Sequence, residues 1–137
     1  MRHSWKISSL LFMTMVLLPF HSMPAGVQDE NNKKIVVALS AGDATALSDF
    51  FNTMIDLGIA GNEDTYSKTQ ATQILKDFFQ KNPVKSFKVT QQGSSTDGAQ
   101  FTIGEMKAGT ATYRIYYLLK KVSEKFLIQQ LQIQKVS

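Results

Sequence analysis

Residues 67–82, SKTQATQILKDFFQKN, form the stretch of sequence that decides the fold. Ser67 and Gln70 have the spacing of a capping box, in which each side chain bonds the backbone N–H of the other residue. A capping box stabilises a helix by about 1 kcal/mol. The residues that follow at the spacing of a single helix face are all apolar: Ala71, Ile74, Leu75, Phe78 and Phe79. Because Asn82-Pro83 ends the pattern, the sequence predicts an amphipathic helix here. Its apolar face requires a partner surface elsewhere in the chain.

Two shorter helices are predicted before this one. The first has an apolar stripe at helical spacing, formed by Ile35, Val36, Ala38 and Leu39. Gly42 follows the stripe and can adopt the left-handed conformation that closes a helix. Asp43 is a suitable N-cap for the second helix, whose apolar residues are Ala44, Leu47, Phe50 and Phe51. We therefore expect an angled helix pair ahead of the long helix.

The segment between the second and third helices has a different period. Ile55, Leu57 and Ile59 share one face of an alternating pattern, whereas Asp56 lies on the other. This period of two indicates a half-buried strand over residues 54–60, with Asp56 pointing away from the core. Residues 61–64 (GNED) are expected to turn the chain after the strand.

From Lys85 onward the period of the apolar residues stays at two. Strands are predicted around Phe87 and Val89, around Phe101 and Ile103, over residues 110–120 and over residues 125–134. Turn residues separate them at 93–98, 107–109 and 123–124. Four consecutive strands with short connections form an antiparallel meander. Helices first and strands last define an α+β fold.

The last two strands carry bulky residues on both faces. On the strand 110–120, one face holds Tyr113, Ile115, Tyr117 and Leu119, and the other holds Tyr116 and Leu118 with Arg114. On the final strand, Leu127, Leu131 and Ile133 oppose Phe126 and Ile128. One face is expected to cover the helices, and the other must be buried elsewhere. We therefore expect a homodimer through the outer sheet face; the alternative is a partly exposed sheet with scattered apolar groups.

The first 25 residues have the pattern of an export signal. Arg2 and Lys6 supply a positive start, and residues 7–20, ISSLLFMTMVLLPF, are apolar and uncharged. This stretch is shorter than the roughly 20 residues that a membrane span needs, so we interpret it as a cleaved leader. A cut after Ala25 leaves residues 26–32 as a polar, mobile lead-in and residues 33–137 as one domain. No membrane span is expected after cleavage.

Removal of the leader changes the chemistry that the chain can perform. Both histidines and the single tryptophan lie in the leader, and the chain has no cysteine. Without His or Cys a protein cannot build a Ser-His-Asp or Cys-His nucleophile or a typical zinc site, so we expect neither a metal nor a cofactor. Loss of Arg2 and Lys6 leaves thirteen Lys and Arg against eleven Asp and Glu, a formal charge of +2 instead of +4. Nucleic acid is therefore not an expected partner, because phosphate binding needs clustered positive charge.

Several short segments are similar to a family of small exported bacterial proteins without an assigned function. They are Tyr66-Ser67-Lys68, Gln70-Ala71, residues 74–79 (ILKDFF), Ile103-Gly104, Tyr113-Arg114 and residues 128–131 (IQQL). The predicted element order also resembles the nuclear-transport-factor-2-like fold, which is also called cystatin-like. The resemblance implies three N-terminal helices packed on a curved, mainly antiparallel sheet, a pocket between sheet and helices, and a periplasmic or secreted location. It implies no activity.

The implied pocket has several candidate residues. Tyr113 and Tyr117 share a strand face and could line the pocket together with Phe78 and Phe101; core packing is the alternative role for these rings. Arg114 could bind a ligand carboxylate or form a surface ion pair. These five residues are the predicted ligand site.

An enzyme of the ketosteroid-isomerase-like type would need a carboxylate base opposite a tyrosine. Asp56 is the only strand carboxylate in the first half of the chain that could serve, and alternation points it outward. We therefore predict an exported, non-catalytic binding module whose partner is a small apolar or amphipathic ligand or another envelope protein. The alternatives are a small lyase or isomerase that uses Asp56 and a tyrosine, and a structural envelope component without a ligand.

The leader interpretation can be tested by expression of the full chain in a bacterial host. We expect a mature protein that begins at Gly26, within about three residues on either side, because signal peptidase cuts after a small residue that follows the apolar segment. Intact-mass measurement of the exported protein gives this position directly. Recovery of the uncut chain in the membrane fraction would mean that residues 7–20 act as an anchor instead.

Overall fold

The computed structural model describes residues 26–136, so the predicted leader lies outside the described residues. The elements follow one another as α1 (Gly26–Ala41), α2 (Ala44–Ser48), β1 (Phe51–Ile59), β2 (Asn62–Ser67), α3 (Lys68–Lys81), β3 (Val84–Ser94), β4 (Gln100–Ala108), β5 (Ala111–Val122) and β6 (Lys125–Lys135). Helices and strands thus form the predicted α+β arrangement. None of the helices within residues 26–136 is long and apolar enough to cross a membrane.

The strands form one six-stranded sheet in the order β2-β1-β6-β5-β4-β3. All neighbours are antiparallel except β1 and β6, which run parallel. The inner face of the sheet packs against the helices and carries the core. Its fully buried side chains include Ile55, Leu57, Met106, Ile115, Tyr117, Ile128, Leu131 and Ile133. The side that faces away from the helices is called the outer face below.

The helix over residues 67–82 is confirmed with its predicted cap. The Ser67 hydroxyl accepts from the backbone N–H of Gln70 at 3.2 Å, and the Gln70 side chain accepts from the backbone N–H of Ser67 at 3.4 Å. Ala71, Leu75 and Phe79 lie on the buried face, with exposed fractions of at most 6%. This face packs against α2, β1 and β2. The apolar stripe therefore has the partner surface that it requires.

The first two helices differ from the sequence prediction at their ends. Residues 26–32 belong to α1, which therefore begins well before the apolar stripe from which the helix was predicted. The second helix ends at Ser48, before Phe50 and Phe51. Its early end has a backbone cause, because the carbonyl of Phe50 accepts from the N–H of Ile128 in β6 at 2.6 Å. Phe51 therefore begins β1, and helical spacing alone gave the wrong element for it.

The strand β2 was missed because residues 62–64 were expected to be a turn. The actual turn consists of Ala60, with a φ angle of 51°, and Gly61, with a φ angle of 90°. Asn62 pairs with Ile59 across this turn, and the pairing continues to Met54 and Ser67. A two-residue turn with positive φ matches the twist of a hairpin. β2 is polar and mostly exposed, so backbone pairing rather than apolar alternation stabilises it.

The inner and outer residues of β6 are also not those predicted. Ile128 is fully buried together with Leu131 and Ile133, although an unbroken alternation would place them on opposite faces. The register shifts between Leu118 and Leu119 of β5, which leaves Gln129 as an extra residue. Such a bulge reverses the alternation and bends the strand. Further register shifts occur in the edge strand β3, and together they curve the sheet around the helices.

The hairpin between β5 and β6 offers a test of backbone strain. Ser123 and Glu124 form a two-residue turn with φ angles of 47° and 71°, and neither residue is suited to that conformation. We expect the double substitution Ser123→Asn and Glu124→Gly to raise the free energy of unfolding by about 1 kcal/mol, measured by chemical denaturation.

A matched control separates strain from charge in this hairpin. Glu124 forms an exposed ion pair with Lys121 at 3.5 Å, which contributes little to stability. Glu124→Gln removes the ion pair and keeps a non-glycine residue at the positive φ angle, so it should leave the free energy of unfolding unchanged within a few tenths of a kcal/mol. A double variant no more stable than Glu124→Gln would contradict the strain argument.

Candidate functional site

Asp56 lies on the outer face of the sheet, as its alternation with Ile55 and Leu57 predicts. Its carboxylate accepts a hydrogen bond from the Thr65 hydroxyl on β2 at 2.6 Å. Tyr113 and Tyr117 point to the inner face, where both are buried. A carboxylate and a tyrosine on opposite faces of one sheet cannot act on the same substrate atom, because catalytic partners must lie within hydrogen-bond reach of it. Asp56 therefore forms no such pair with Tyr113 or Tyr117, the two tyrosines of the predicted ligand site.

Tyr117 is a core residue that ties α1 to the sheet. Its side chain has an exposed fraction of 0%, and its hydroxyl donates to the Asn32 side chain on α1 at 2.5 Å. The Thr102 side chain on β4 bonds the same hydroxyl. Burial disfavours the ionised phenolate and raises the pKa of Tyr117 to about 12. A neutral, fully bonded hydroxyl is suited to a structural role and gives α1 a fixed position.

Tyr113 and Phe78 occupy the other end of the core. Their rings meet edge to face with centroids 5.3 Å apart, and Phe78 makes a second edge contact with Phe79 at 5.6 Å. The Tyr113 hydroxyl donates to the Asn82 side chain at 3.4 Å. Such aromatic pairs contribute about 1 kcal/mol beyond the area they bury. The rings of these residues are therefore held by one another, which is the core-packing alternative to a ligand pocket.

Phe101 and Arg114 lie on the outer face and are not part of the space beneath the sheet. The Phe101 ring covers Gly93 of β3, where an added Cβ would approach the ring to 2.5 Å. Arg114 is exposed and stands opposite Glu105 in the register of β4 and β5. The predicted five-residue site is thus divided, with Tyr113, Tyr117 and Phe78 inside and these two outside. Within residues 26–136 no group of three or more His, Cys, Asp and Glu side chains could hold a metal ion.

The outer face carries an apolar block, of which the sequence predicted only the two residues on β5. Phe101 pairs with Leu118, and Ile103 pairs with Tyr116, on the adjacent strands β4 and β5. All four side chains are half-buried and are named the outer block here. Alternation in β5 identified Tyr116 and Leu118, but the face of the β4 residues depends on the pairing register. The block is continuous only because that register aligns the two pairs.

An amide row lies beside the outer block. Gln130 and Gln132 of β6 stand opposite Leu118 and Tyr116, and both are half-buried. The Gln132 amide donates to Glu63 of β2 at 3.4 Å. The outer face therefore carries apolar groups on β4 and β5 and amides on β6, followed by the carboxylates of Asp56 and Glu63 on β1 and β2. A surface of this kind is suited to contact with another macromolecule rather than to catalysis.

The chain has an NTF2-like fold, in which a curved sheet wraps around helices. An NTF2-like protein from Cytophaga hutchinsonii has the same fold with a TM-score of 0.60 at 12% identity, over 80% of this chain and 96% of that one. At that identity the likeness concerns the fold alone. It confirms the fold resemblance stated from the predicted element order.

The chain belongs to the family described as Domain of unknown function (DUF4783), whose model matches residues 32–134. A family member from Bacteroides ovatus is 30% identical and superposes with a TM-score of 0.72, over 76% of this chain and 94% of that one. A second, from Bacteroides uniformis, is 27% identical with a TM-score of 0.73, over 77% and 96%. No curated protein sequence matches the chain. The family defines the architecture and assigns no activity.

The role assigned to Tyr117 can be tested through pH. Tyr117→Phe should lower the free energy of unfolding at pH 7 by about 1 kcal/mol, because the hydrogen bond to Asn32 is lost. The folded pKa of about 12 exceeds the ordinary value of 10, so the stabilisation is complete below pH 10 and is lost as the pH rises towards 12. Chemical denaturation should therefore show the wild type losing its advantage above pH 10 and becoming less stable than the variant as the pH approaches 12. A difference that stays constant from pH 8 to pH 11 would contradict this assignment.

Proposed function

We propose that the mature protein is an exported, non-catalytic module that works as a homodimer joined through the outer sheet face. The observation that carries the proposal is the outer block, four half-buried apolar side chains in the middle of an otherwise polar face. Contiguous apolar surface of this kind marks interaction sites on soluble proteins. Burial of such groups is favourable by about 25 cal/mol for each Å² removed from water.

The size of the outer face is adequate for a stable dimer. Strands about 4.8 Å apart, with a rise of about 3.3 Å per residue, give the six-stranded sheet a face of roughly 700 Å². Stable interfaces bury about 800 Å² per partner. Two sheets packed face to face would therefore use nearly the whole outer surface, including the outer block on β4 and β5.

A second copy of the chain fits this face because the centre is self-complementary. A two-fold interface brings the same patch of each subunit together. Apolar groups satisfy one another, and the amides of Gln130 and Gln132 each carry donors and an acceptor, so they can pair with their own copies. The charged groups Lys88, Glu105 and Arg114 lie in the strand positions towards one end, and Asp56 and Glu63 lie beyond the amide row, on β1 and β2. Charged groups therefore flank the outer block and the amides without lying between them.

Export and the absence of catalysis rest on different observations. The pattern of residues 1–25 supports export, and the lack of cysteine means that the fold needs no disulfide outside the cytosol. The non-catalytic assignment is supported by the separation of Asp56 from Tyr113 and Tyr117 on opposite faces. Assembly is then the property that the geometry supports best.

A charge in the outer block should dissociate the dimer. We expect the wild type to sediment as a dimer at about 50 µM and Leu118→Lys to sediment as a monomer, because two ammonium groups would face each other in a desolvated interface. Val37→Lys is the matched control. Val37 is 67% exposed on α1, so this substitution adds the same charge on the helical side, away from the outer face. Circular dichroism checks that both variants stay folded. A monomeric wild type, or a dimeric Leu118→Lys, would refute the proposal.

A further inference from the structure

A cleft opens between α3 and the hairpin of β1 and β2, on the helical side of the sheet. Its volume is about 370 Å³, within the usual range for small-molecule sites. The floor is apolar and comes from Leu57, Ile74 and Phe78, and the rim is polar and includes Asp77, Lys81 and Asn82. This space is named the α3 cleft. None of the five residues of the predicted ligand site except Phe78 lines it.

The floor of the α3 cleft is preorganised to receive an apolar group. Leu57 is only 1% exposed and closes the bottom of the cleft, whereas Ile74 and Phe78 are half-buried and line its walls. The Phe78 ring is held in place by its edge contacts with Tyr113 and Phe79. A ring or branched chain placed here would bury apolar surface without any rearrangement of the core.

The rim of the α3 cleft presents one positive and one negative charge side by side. Lys81 Nζ lies 3.0 Å from Asp77 Oδ2, and both side chains remain well exposed, at 71% and 62%. A ligand with a single charge would be attracted by one of these groups and repelled by the other. A ligand that carries both charges on adjacent atoms is attracted by both. The amide of Asn82, on the same rim, is held in place by its bonds to the Phe78 carbonyl and the Tyr113 hydroxyl.

We propose that the α3 cleft binds a free amino acid with an aromatic or branched apolar side chain. The side chain occupies the floor, the α-carboxylate faces Lys81 and the α-ammonium faces Asp77. The site is independent of the proposed dimer, because the cleft opens on the helical side and the dimer uses the outer face. Failure of one proposal therefore leaves the other standing.

The first experiment compares ligands that differ in one feature, titrated into the wild-type mature protein and followed by NMR of the Ile74 methyl groups. L-Phenylalanine is expected to bind with a dissociation constant of about 1 mM, typical for a ligand of this size in an open cleft. Phenylacetate lacks the ammonium group, 2-phenylethylamine lacks the carboxylate, and glycine lacks the apolar side chain. Each of the three should bind at least about tenfold more weakly. Equal binding of phenylalanine and phenylacetate, or no shift at about 20 mM phenylalanine, would overturn the proposal.

The second experiment removes the two rim charges one at a time. Asp77→Asn and Lys81→Met preserve the size of the side chains and should each weaken phenylalanine binding about tenfold, the loss expected for one charged contact. Glu124→Gln and Lys121→Met are matched controls, because they break the other exposed ion pair at the β5–β6 hairpin. The controls should bind as the wild type does. Unchanged affinity in Asp77→Asn and Lys81→Met would overturn the assignment of the rim.

Discussion

Burial of the apolar face of α3 against the inner face of the sheet is the constraint on which the structure depends. Ala71, Leu75 and Phe79 are removed from water because α2 and the strands β1 and β2 cover the helix face that carries them. The capping box fixes where that helix begins, and Asn82 at its end bonds both the Phe78 carbonyl and the Tyr113 hydroxyl. The helix is thereby anchored at both ends, and the remaining elements are arranged around it.

Curvature of the sheet has a second consequence, which is the separation of two chemically different surfaces. The register shift at Gln129 turns Ile128 inward together with Leu131, so the inner face is continuously apolar across the bulge. The aromatic residues of the inner face are held by hydrogen bonds to Asn32 and Asn82. Because these hydroxyls are satisfied inside the protein, the two surfaces that we propose for recognition lie outside the core.

Those surfaces are the outer block and the α3 cleft, and both arise where an element of the fold ends or lacks a covering layer. The outer face has no helix over it, so four apolar side chains of β4 and β5 stay half-exposed. The α3 cleft forms where the β1–β2 hairpin passes the last turn of α3.

The sequence by itself determined the α+β class, the long capped helix, the outward position of Asp56 and the two-faced character of β5, because each depends on local spacing. It did not determine β2, the inward turn of Ile128 or the outer position of Phe101. These features depend on backbone pairing and register between strands far apart in the chain, which leave no periodic pattern in the residues. Only the tertiary structure could therefore show that Tyr113 and Tyr117 lie in the core, whereas Phe101 and Arg114 lie on the outer face. The predicted ligand site is for this reason not a single site.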